Sequence, residues 1–425
     1  MNRPDPLAEP TRARLEAAAA ALATLLRFDR PADVALRIWF REHPELGPRE
    51  RAFVAESAFA VLRHLRRLEH ATGGRAARPL LLASLLLSGR GVRALSPLLR
   101  EDEGAMLAQL RQPQAELPPA VRLSLPDWLH ERLLAEHGAD TVDAVGQALL
   151  QPAPLDLRVN TWRARRDEVI AALHASGLEA EATPLSPTGV RLRGKPSIER
   201  HSLLAGGHVE VQDEGSQLVC LLMEARRGQM VVDFCAGAGG KTLALGALMR
   251  SEGRVYAFDT SERRLANLGP RLKRSGLSNV HPQRIDSETD VRVKRLAGRI
   301  DAVLVDAPCS GTGTLRRNPD LKWRMDPQAL DELGAKQAAI LASAARLPRP
   351  GGRLVYATCS LLAQENEAVV DAFLQTHPGW RRLHAGEVLA RQSVPIEGLG
   401  QDLRLLPHLH GTDGFYAAVL EREPG

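Results

Sequence analysis

Three residues of this chain carry reactive groups at positions where a fold would present them. Asp306 and Cys309 lie three residues apart, where the apolar run Val303-Leu304-Val305 gives way to Ala307-Pro308 and the small-residue loop Ser310-Gly311-Thr312-Gly313. Cys359 closes a second run, Leu354-Val355-Tyr356-Ala357-Thr358. An apolar run rich in β-branched residues that stops abruptly at polar groups reads as a buried parallel strand. In open α/β sheets, ligands bind at the C-terminal ends of such strands. A thiolate there is a nucleophile. Two strand-end thiols and a carboxylate therefore predict cysteine chemistry on a bound substrate.

A second constellation predicts a binding loop. Met230-Val231-Val232-Asp233 is strand-like and runs into Phe234-Cys235-Ala236-Gly237-Ala238-Gly239-Gly240-Lys241-Thr242, a glycine-rich turn followed by a helix start. Glycines allow close backbone approach, and helix N-termini favour negative charge. A P-loop would need glycine where Cys235 stands, and a dinucleotide fingerprint would need glycine at Thr242. The pattern that fits is the acid-x-x-x-G-x-G loop of Rossmann-like S-adenosylmethionine methyltransferases. The predicted cofactor residues are Cys235, Ala236, Gly237, Ala238, Gly239, Gly240 and Lys241, with Asp259, Asp286 and Asp306. Asp259 ends the next strand-like run and is placed to accept ribose hydroxyls; Asp286 closes a third run, within reach of the adenine amine. Both also suit a helix-cap role. Cys220 reads as a buried inert thiol and Cys235 as loop packing.

The elements that position these groups follow from length and pattern. With 425 residues, 25% charged and 44% hydrophobic, the chain has room for two or three globular domains. Four cysteines do not make a disulfide framework, and no zinc-ligand spacing appears, so no metal is expected. The N-terminus has no apolar signal core and no run is long enough to span a bilayer, so no membrane association and a cytoplasmic location are expected. Residues 1–122 read as all-helical, with Pro48 starting a helix that carries Val54, Ala58, Val61, Leu65 and Leu68. Between Arg51 and Arg100 there are nine arginines against two acids, Glu56 and Glu69. That excess fits either a solvated face or a surface for RNA phosphates. Residues 123–225 hold linker helices and a small α+β module, basic at Arg158, Arg163, Arg165 and Arg166. Residues 226–425 alternate strand and helix, the pattern of a doubly wound parallel sheet.

The motif Asp306-Ala307-Pro308-Cys309-Ser310-Gly311-Thr312-Gly313, with Thr358-Cys359-Ser360 and Glu365-Asn366-Glu367, resembles the Nop/Sun family of RNA cytosine-C5 methyltransferases. Leu157-Arg158-Val159-Asn160, Gln212 to Gln217, Arg316 to Asp320 and Gly411 to Phe415 resemble further motifs of that family. The helical region resembles the bacterial RsmB type, in which a NusB-like domain precedes the enzyme. One departure stands in the cofactor loop: Ala238 occupies a position where the family usually has proline.

The resemblance implies a Rossmann-like class I S-adenosylmethionine methyltransferase domain, a small α+β RNA-binding module and an N-terminal NusB-like helical domain. It implies S-adenosylmethionine as cofactor and RNA, foremost 16S rRNA, as partner. In that family's chemistry a thiolate adds to cytosine C6 and makes C5 nucleophilic toward the sulfonium methyl group. By the family's pattern Cys359 is the nucleophile, Cys309 assists product release, and Asp306 holds the N3/N4 edge of the base. A tRNA methyltransferase of the same family, or a non-catalytic RNA-binding assembly factor on this fold, are the alternatives.

Overall fold

Helical periodicity accounts for the first of two units, which ends at Pro152 and also takes in Thr314–Pro327. The computed structural model describes residues 9–111 and 116–424. The helices Arg12–Leu25, Pro48–Thr72 and Ala77–Leu87 bury a shared core in which Leu15, Leu22, Phe53, Leu62, Leu65 and Leu81 are fully enclosed. Pro48 stands in the first turn of its helix and Gly73, at φ 71°, ends it. Asp127–His137 and Ala139–Leu149 form two helices, because Gly138 interrupts them at φ 75°.

The long helix Pro48–Thr72 is kinked at His64, whose φ of −104° and ψ of 16° are not helical. Its ladder is interrupted by side chains. Lys322 Nζ donates to the Arg63 carbonyl (3.0 Å) and Trp323 Nε1 to the Leu62 carbonyl (3.1 Å). Arg66 N–H, which would otherwise continue the ladder, donates to Ser124 Oγ at 3.0 Å. Arg63 in turn donates to the Arg316 carbonyl at 3.1 Å. The segment Thr314–Pro327 is thus woven into this unit through backbone carbonyls.

Part of the arginine excess between Arg51 and Arg100 is neutralised inside the same unit. Arg66 pairs with Asp127, Arg75 with Glu69, Arg78 with Glu103 and Glu16, and Arg100 with Glu16. Arg51 and Arg63 donate to backbone carbonyls. The compensating acids Glu16, Glu103 and Asp127 come from outside the arginine-rich stretch.

The second unit, Ala153–Gly313 with Gln328 onward, carries two sheets. The smaller consists of β1 (Leu155–Val159), β2 (Ala180–Ala182), β3 (Gly189–Leu192) and β4 (Val209–Val211), antiparallel in the order β2-β3-β1-β4. The helix Arg166–Ala175 covers it through Val169 and Leu173.

The larger sheet holds β5 (Met230–Asp233), β6 (Arg254–Asp259), β7 (Val280–Arg284), β8 (Ile300–Asp306), β9 (Pro348–Thr358), β10 (Trp380–Leu383), β11 (Leu403–Leu405) and β12 (Phe415–Arg422). Its order is β10-β12-β9-β8-β5-β6-β7, with β11 beside β12. Strands β5 to β9 are mutually parallel, while β12 runs antiparallel to β9. The period-two alternation of strands divides the core into layers. Val231, Leu304, Val355, Ala357 and Val419 face the helices Glu214–Leu221, Gly240–Leu248 and Ala385–Arg391. Val232, Val303, Val305, Tyr356 and Leu420 face Pro327–Ala344 and Glu367–Thr376. This is a Rossmann-like α/β sheet. The chain proceeds outward from β5 through β6 to β7, then crosses to β8 and β9 on the other side. The boundary between β5 and β8 is the topological switch point, where crevices for ligands form. Among the described residues no helix is long and apolar enough to cross a membrane, and no group of three or more His, Cys, Asp or Glu is arranged to hold a metal ion.

Candidate active site

The carboxyl ends of β8 and β9 bring the reactive residues together. In the parallel register Asp306 is opposite Ala357, and Ala307 N–H donates to the Ala357 carbonyl at 2.8 Å. The two strands therefore release their loops side by side. Cys309 and Cys359 end with their Sγ atoms 3.4 Å apart. The hydrogen bond to Cys359, together with burial, raises the Cys309 thiol well above the usual thiol range. The contact is a single S–H···S hydrogen bond in which either sulfur can donate.

A buried polar clamp fixes this geometry. Glu365 Oε1 accepts from Ser310 N–H (2.7 Å) and Gln337 Nε2 (3.0 Å), and Oε2 accepts from the Ser360 hydroxyl. Tyr356 donates its hydroxyl to the Glu365 carbonyl at 2.7 Å. Asn366 Oδ1 accepts from Thr358 at 2.5 Å, while its Nδ2 donates to the Ser360 carbonyl at 3.0 Å. The loop after Cys309 is closed by Gly313 N–H donating to the Cys359 carbonyl (2.9 Å), and Gly414 N–H donates to the Gly313 carbonyl (2.9 Å). A Cβ on Gly313 would stand 2.2 Å from the Gly414 carbonyl oxygen, so only glycine permits the approach.

Asp306 Oδ2 accepts from Lys241 Nζ at 2.7 Å, and that ammonium also lies 5.5 Å from the Phe415 ring centroid. Burial opposes the lysine charge, but the Asp306 carboxylate more than offsets it and holds Lys241 protonated above its ordinary range. Asp306 is less enclosed, its side chain 29% exposed against 12% for Lys241. Lys241 thus joins the thiol loops to the glycine loop.

That loop, between β5 and the helix Gly240–Leu248, is held from several sides. Gly239 adopts φ 83°, and a Cβ there would meet Leu268 at 2.2 Å. Asp259 is 4% exposed; its Oδ2 accepts from Gly237 N–H (2.8 Å) and its Oδ1 from Ser261 N–H (2.7 Å). Arg271 donates to the Ala238 carbonyl at 2.5 Å while paired with Glu210, and Gly239 N–H donates to the Ala236 carbonyl at 2.8 Å. These bonds fix the backbone at Ala238, where a proline would otherwise restrict it. Beneath the loop, Asp233 Oδ2 accepts from the Thr242 hydroxyl at 2.6 Å while Oδ1 is buried with no partner among the described residues. Burial pushes the Asp233 carboxyl up to about 7.

Residues that motif reading did not place also converge on the loop. The fully buried Arg158 donates to the Gly240 carbonyl (2.6 Å) and to Gln212 Oε1. Burial lowers its guanidinium to about 10. Arg158 and Gln212 belong to sequence motifs already singled out; their partners follow only from the tertiary fold. Asp286, by contrast, lies just beyond β7 with its side chain 73% exposed and 3.3 Å from Arg284. Cys220 is buried, donates to the Ser216 carbonyl at 3.4 Å, and is pushed up to about 12 by burial. Cys235 is likewise raised by burial.

Comparison with known proteins agrees with this architecture. Residues 220–421 match the family model of the 16S rRNA methyltransferase RsmB/F, and residues 125–199 match the ferredoxin-like domain associated with it. A probable ribosomal RNA small subunit methyltransferase B of Synechocystis is 36% identical over 310 residues, covering 73% of this chain and 69% of that protein. Its Bacillus subtilis counterpart is 33% identical over 311 residues, covering 72% and 68%. A solved methyltransferase homologue from Pyrococcus horikoshii superposes with a TM-score of 0.61 at 27% identity, covering 72% of this chain and 97% of that one. With the paired thiols, the switch-point loop and relatives of this similarity established, the chain belongs to the RsmB/F family of RNA methyltransferases.

Proposed function

We propose that this protein methylates C5 of a cytosine in 16S rRNA, with S-adenosylmethionine as methyl donor and a covalent bond between Cys359 and cytosine C6. The observation that carries the reading is the 3.4 Å apposition of two strand-end thiols, beside a loop joined to them through the 2.7 Å Lys241–Asp306 pair.

The loop fits the cofactor. A Cβ on Gly237 or Gly240 would meet nothing nearer than 3.9 Å, so backbone faces open space there, and Asp233 keeps an unpartnered buried oxygen. Residues Cys235 to Lys241 would hold the cofactor, with Asp259, Asp286 and Asp306 around it. When bound, S-adenosylmethionine supplies an electrophilic methyl group on sulfur.

The protein's own residues divide the remaining work. Two thiolates 3.4 Å apart repel each other, so the pair ionises in stages. While Cys359 is a thiolate, Cys309 keeps its proton and stabilises that charge through its S–H. Cys359 then adds to C6, which breaks the ring conjugation and places electron density on C5. Asp306 bonds the N3/N4 edge of the base, with Lys241 holding the carboxylate in place. Once Cys359 is bonded to carbon its charge is gone, and Cys309 releases its proton to solvent, the one proton that the overall reaction sets free. After C5 carries the methyl group, the Cys309 thiolate takes the C5 proton, the C5–C6 double bond re-forms, and Cys359 leaves as a thiolate. The target base must be unstacked to enter such a site.

Bisulfite sequencing of rRNA from cells with and without the protein tests the reading. One 16S cytosine should lose protection in its absence, and methylation confined to tRNA would overturn the substrate assignment.

A further inference from the structure

A cleft of about 500 Å³ opens where the turn after β1 meets the far end of the helix Gly240–Leu248. That helix has nine residues, so the cleft lies roughly 13 Å from the glycine loop at its other end. Trp162 lines it with 46% of its surface exposed, an unusual state for the largest apolar side chain. Around the indole stand Arg163, Arg165, Arg166 and Arg250.

None of these four guanidinium groups has a carboxylate within ion-pair distance among the described residues. Neighbouring arginines of the same unit differ: Arg191 pairs with Asp156, and Arg271 and Arg274 with Glu210. Three of the four are instead anchored on backbone carbonyls, Arg163 on Ser275 (2.8 Å), Arg166 on Ser186 (3.1 Å) and Arg250 on Thr161 (3.0 Å). Such anchoring fixes orientation, leaves the charge uncompensated and leaves other N–H donors free. The one acid lining the cleft, Glu168, accepts from the Arg165 backbone N–H at 3.0 Å. Arg250 and Ser251 both adopt left-handed backbone, at φ 56° and 59°, which side chains other than glycine resist. The chain holds this unfavourable turn where it brings Arg250 under the Trp162 loop.

An exposed indole among oriented, unneutralised guanidinium groups matches the way single-stranded nucleic acids are held, with bases stacked on aromatic rings and phosphates on arginines. We propose that this cleft binds a single-stranded RNA segment outside the target nucleotide. One base stacks on Trp162, and adjoining phosphates sit on Arg163, Arg165, Arg166 and Arg250. The proposal rests on the reading of the protein as an RNA methyltransferase. It adds a subsite that grips the substrate strand remote from the reacting base.

The test uses the full chain and a short fluorescently labelled oligouridylate, followed by anisotropy across a salt series. Trp162→Ala should weaken binding about tenfold, from the loss of one stacked base, and Trp162→Phe should restore most of it. Arg165→Gln should reduce the slope of log affinity against log salt by about 0.7, one phosphate contact on a single strand. Calorimetric S-adenosylmethionine binding by each variant checks that the fold is intact. Wild-type affinity in Trp162→Ala, or equal losses for the oligouridylate and for an acidic polypeptide, overturns the RNA subsite. If the wild type still methylates 16S rRNA in that case, only the cleft assignment fails. If the wild type neither binds the oligouridylate nor methylates rRNA, the functional reading fails and the proposal with it.

Discussion

The hydroxyls of Ser310 and Ser360 lie 3.1 Å apart, each belonging to the residue that follows one of the two strand-end cysteines. Glu365 bridges the same two residues from beneath, through the Ser310 N–H and the Ser360 hydroxyl. The separation of the thiols is therefore set by a carboxylate that touches neither of them.

Glu365 should accordingly act as a positioning residue. Glu365→Gln replaces one of the two accepting oxygens by an N–H₂ donor, so at least one donor in the buried cluster loses its partner. A loss of about 1–3 kcal/mol in urea unfolding is expected. Turnover should fall while the dissociation constant for S-adenosylmethionine stays near wild type, because the glycine loop is held by other residues. A variant that unfolds at the wild-type urea concentration and turns over normally would show that the carboxylate does not set the thiol geometry.

The two cysteines should separate by the stage at which they act. Cys359→Ala should bind RNA and form no covalent adduct. Cys309→Ala should still attack but release product slowly, accumulating a protein–RNA band that survives denaturing electrophoresis. The double variant should give none. An adduct in Cys359→Ala and none in Cys309→Ala would exchange the roles, and normal turnover by both single variants would remove covalent catalysis by these cysteines.

Much of this site was legible in the sequence because its determinants are local. Val303 to Val305 and Leu354 to Ala357 are unbroken apolar runs, as strands buried on both faces must be, and their ends carry the polar groups. The glycine loop announced itself through Gly237, Gly239 and the acid at Asp233. What could not be read depends on residues distant in the chain. Lys322 and Trp323 follow the Asp306 to Gly313 motif closely, yet they bond carbonyls of the helix Pro48–Thr72, more than 250 residues earlier. The arginine count between residues 51 and 100 suggested a bare basic face, but Glu16, Glu103 and Asp127 neutralise part of it from outside that window. Spacing suggested two uses for Asp259, a ribose ligand or a cap, and its bonds to Gly237 and Ser261 show it bracing the loop.

If the glycine loop holds S-adenosylmethionine as proposed, that bracing gives Asp259 a double effect. Asp259→Asn keeps the shape but leaves one oxygen for the two N–H donors of Gly237 and Ser261. S-adenosylmethionine affinity should drop about tenfold, with a loss of about 1–2 kcal/mol in stability, the size of one unmade buried hydrogen bond. Calorimetry and thermal melting read the two effects separately. Unchanged affinity in a destabilised variant would leave the residue as a loop brace alone.

Lys322 gives the helical unit a characteristic pH dependence. Its Nζ is buried, bonded to the Arg63 carbonyl, and has no carboxylate within ion-pair distance among the described residues. Burial, reinforced by the nearby Arg63 charge, lowers its pKa to about 7 from 10.5. Between those values the unfolded chain binds more protons than the folded one, so stability rises with pH across that window. Below about 7 the folded lysine also takes up a proton, and the penalty is present in full. His64 acts in the same sense at lower pH: burial, with the charges of Arg63, Lys322 and Arg67, lowers it to about 4 from 6.5, so stability also rises between those values. Lys322→Met should keep the packing against Trp323, raise the melting temperature at neutral pH, and flatten the rise between pH 7 and 10. His64→Phe should flatten only the lower window. A melting temperature of Lys322→Met that still climbs from pH 7 to 10 as in the wild type would show that the lysine is charged and solvated in the folded protein.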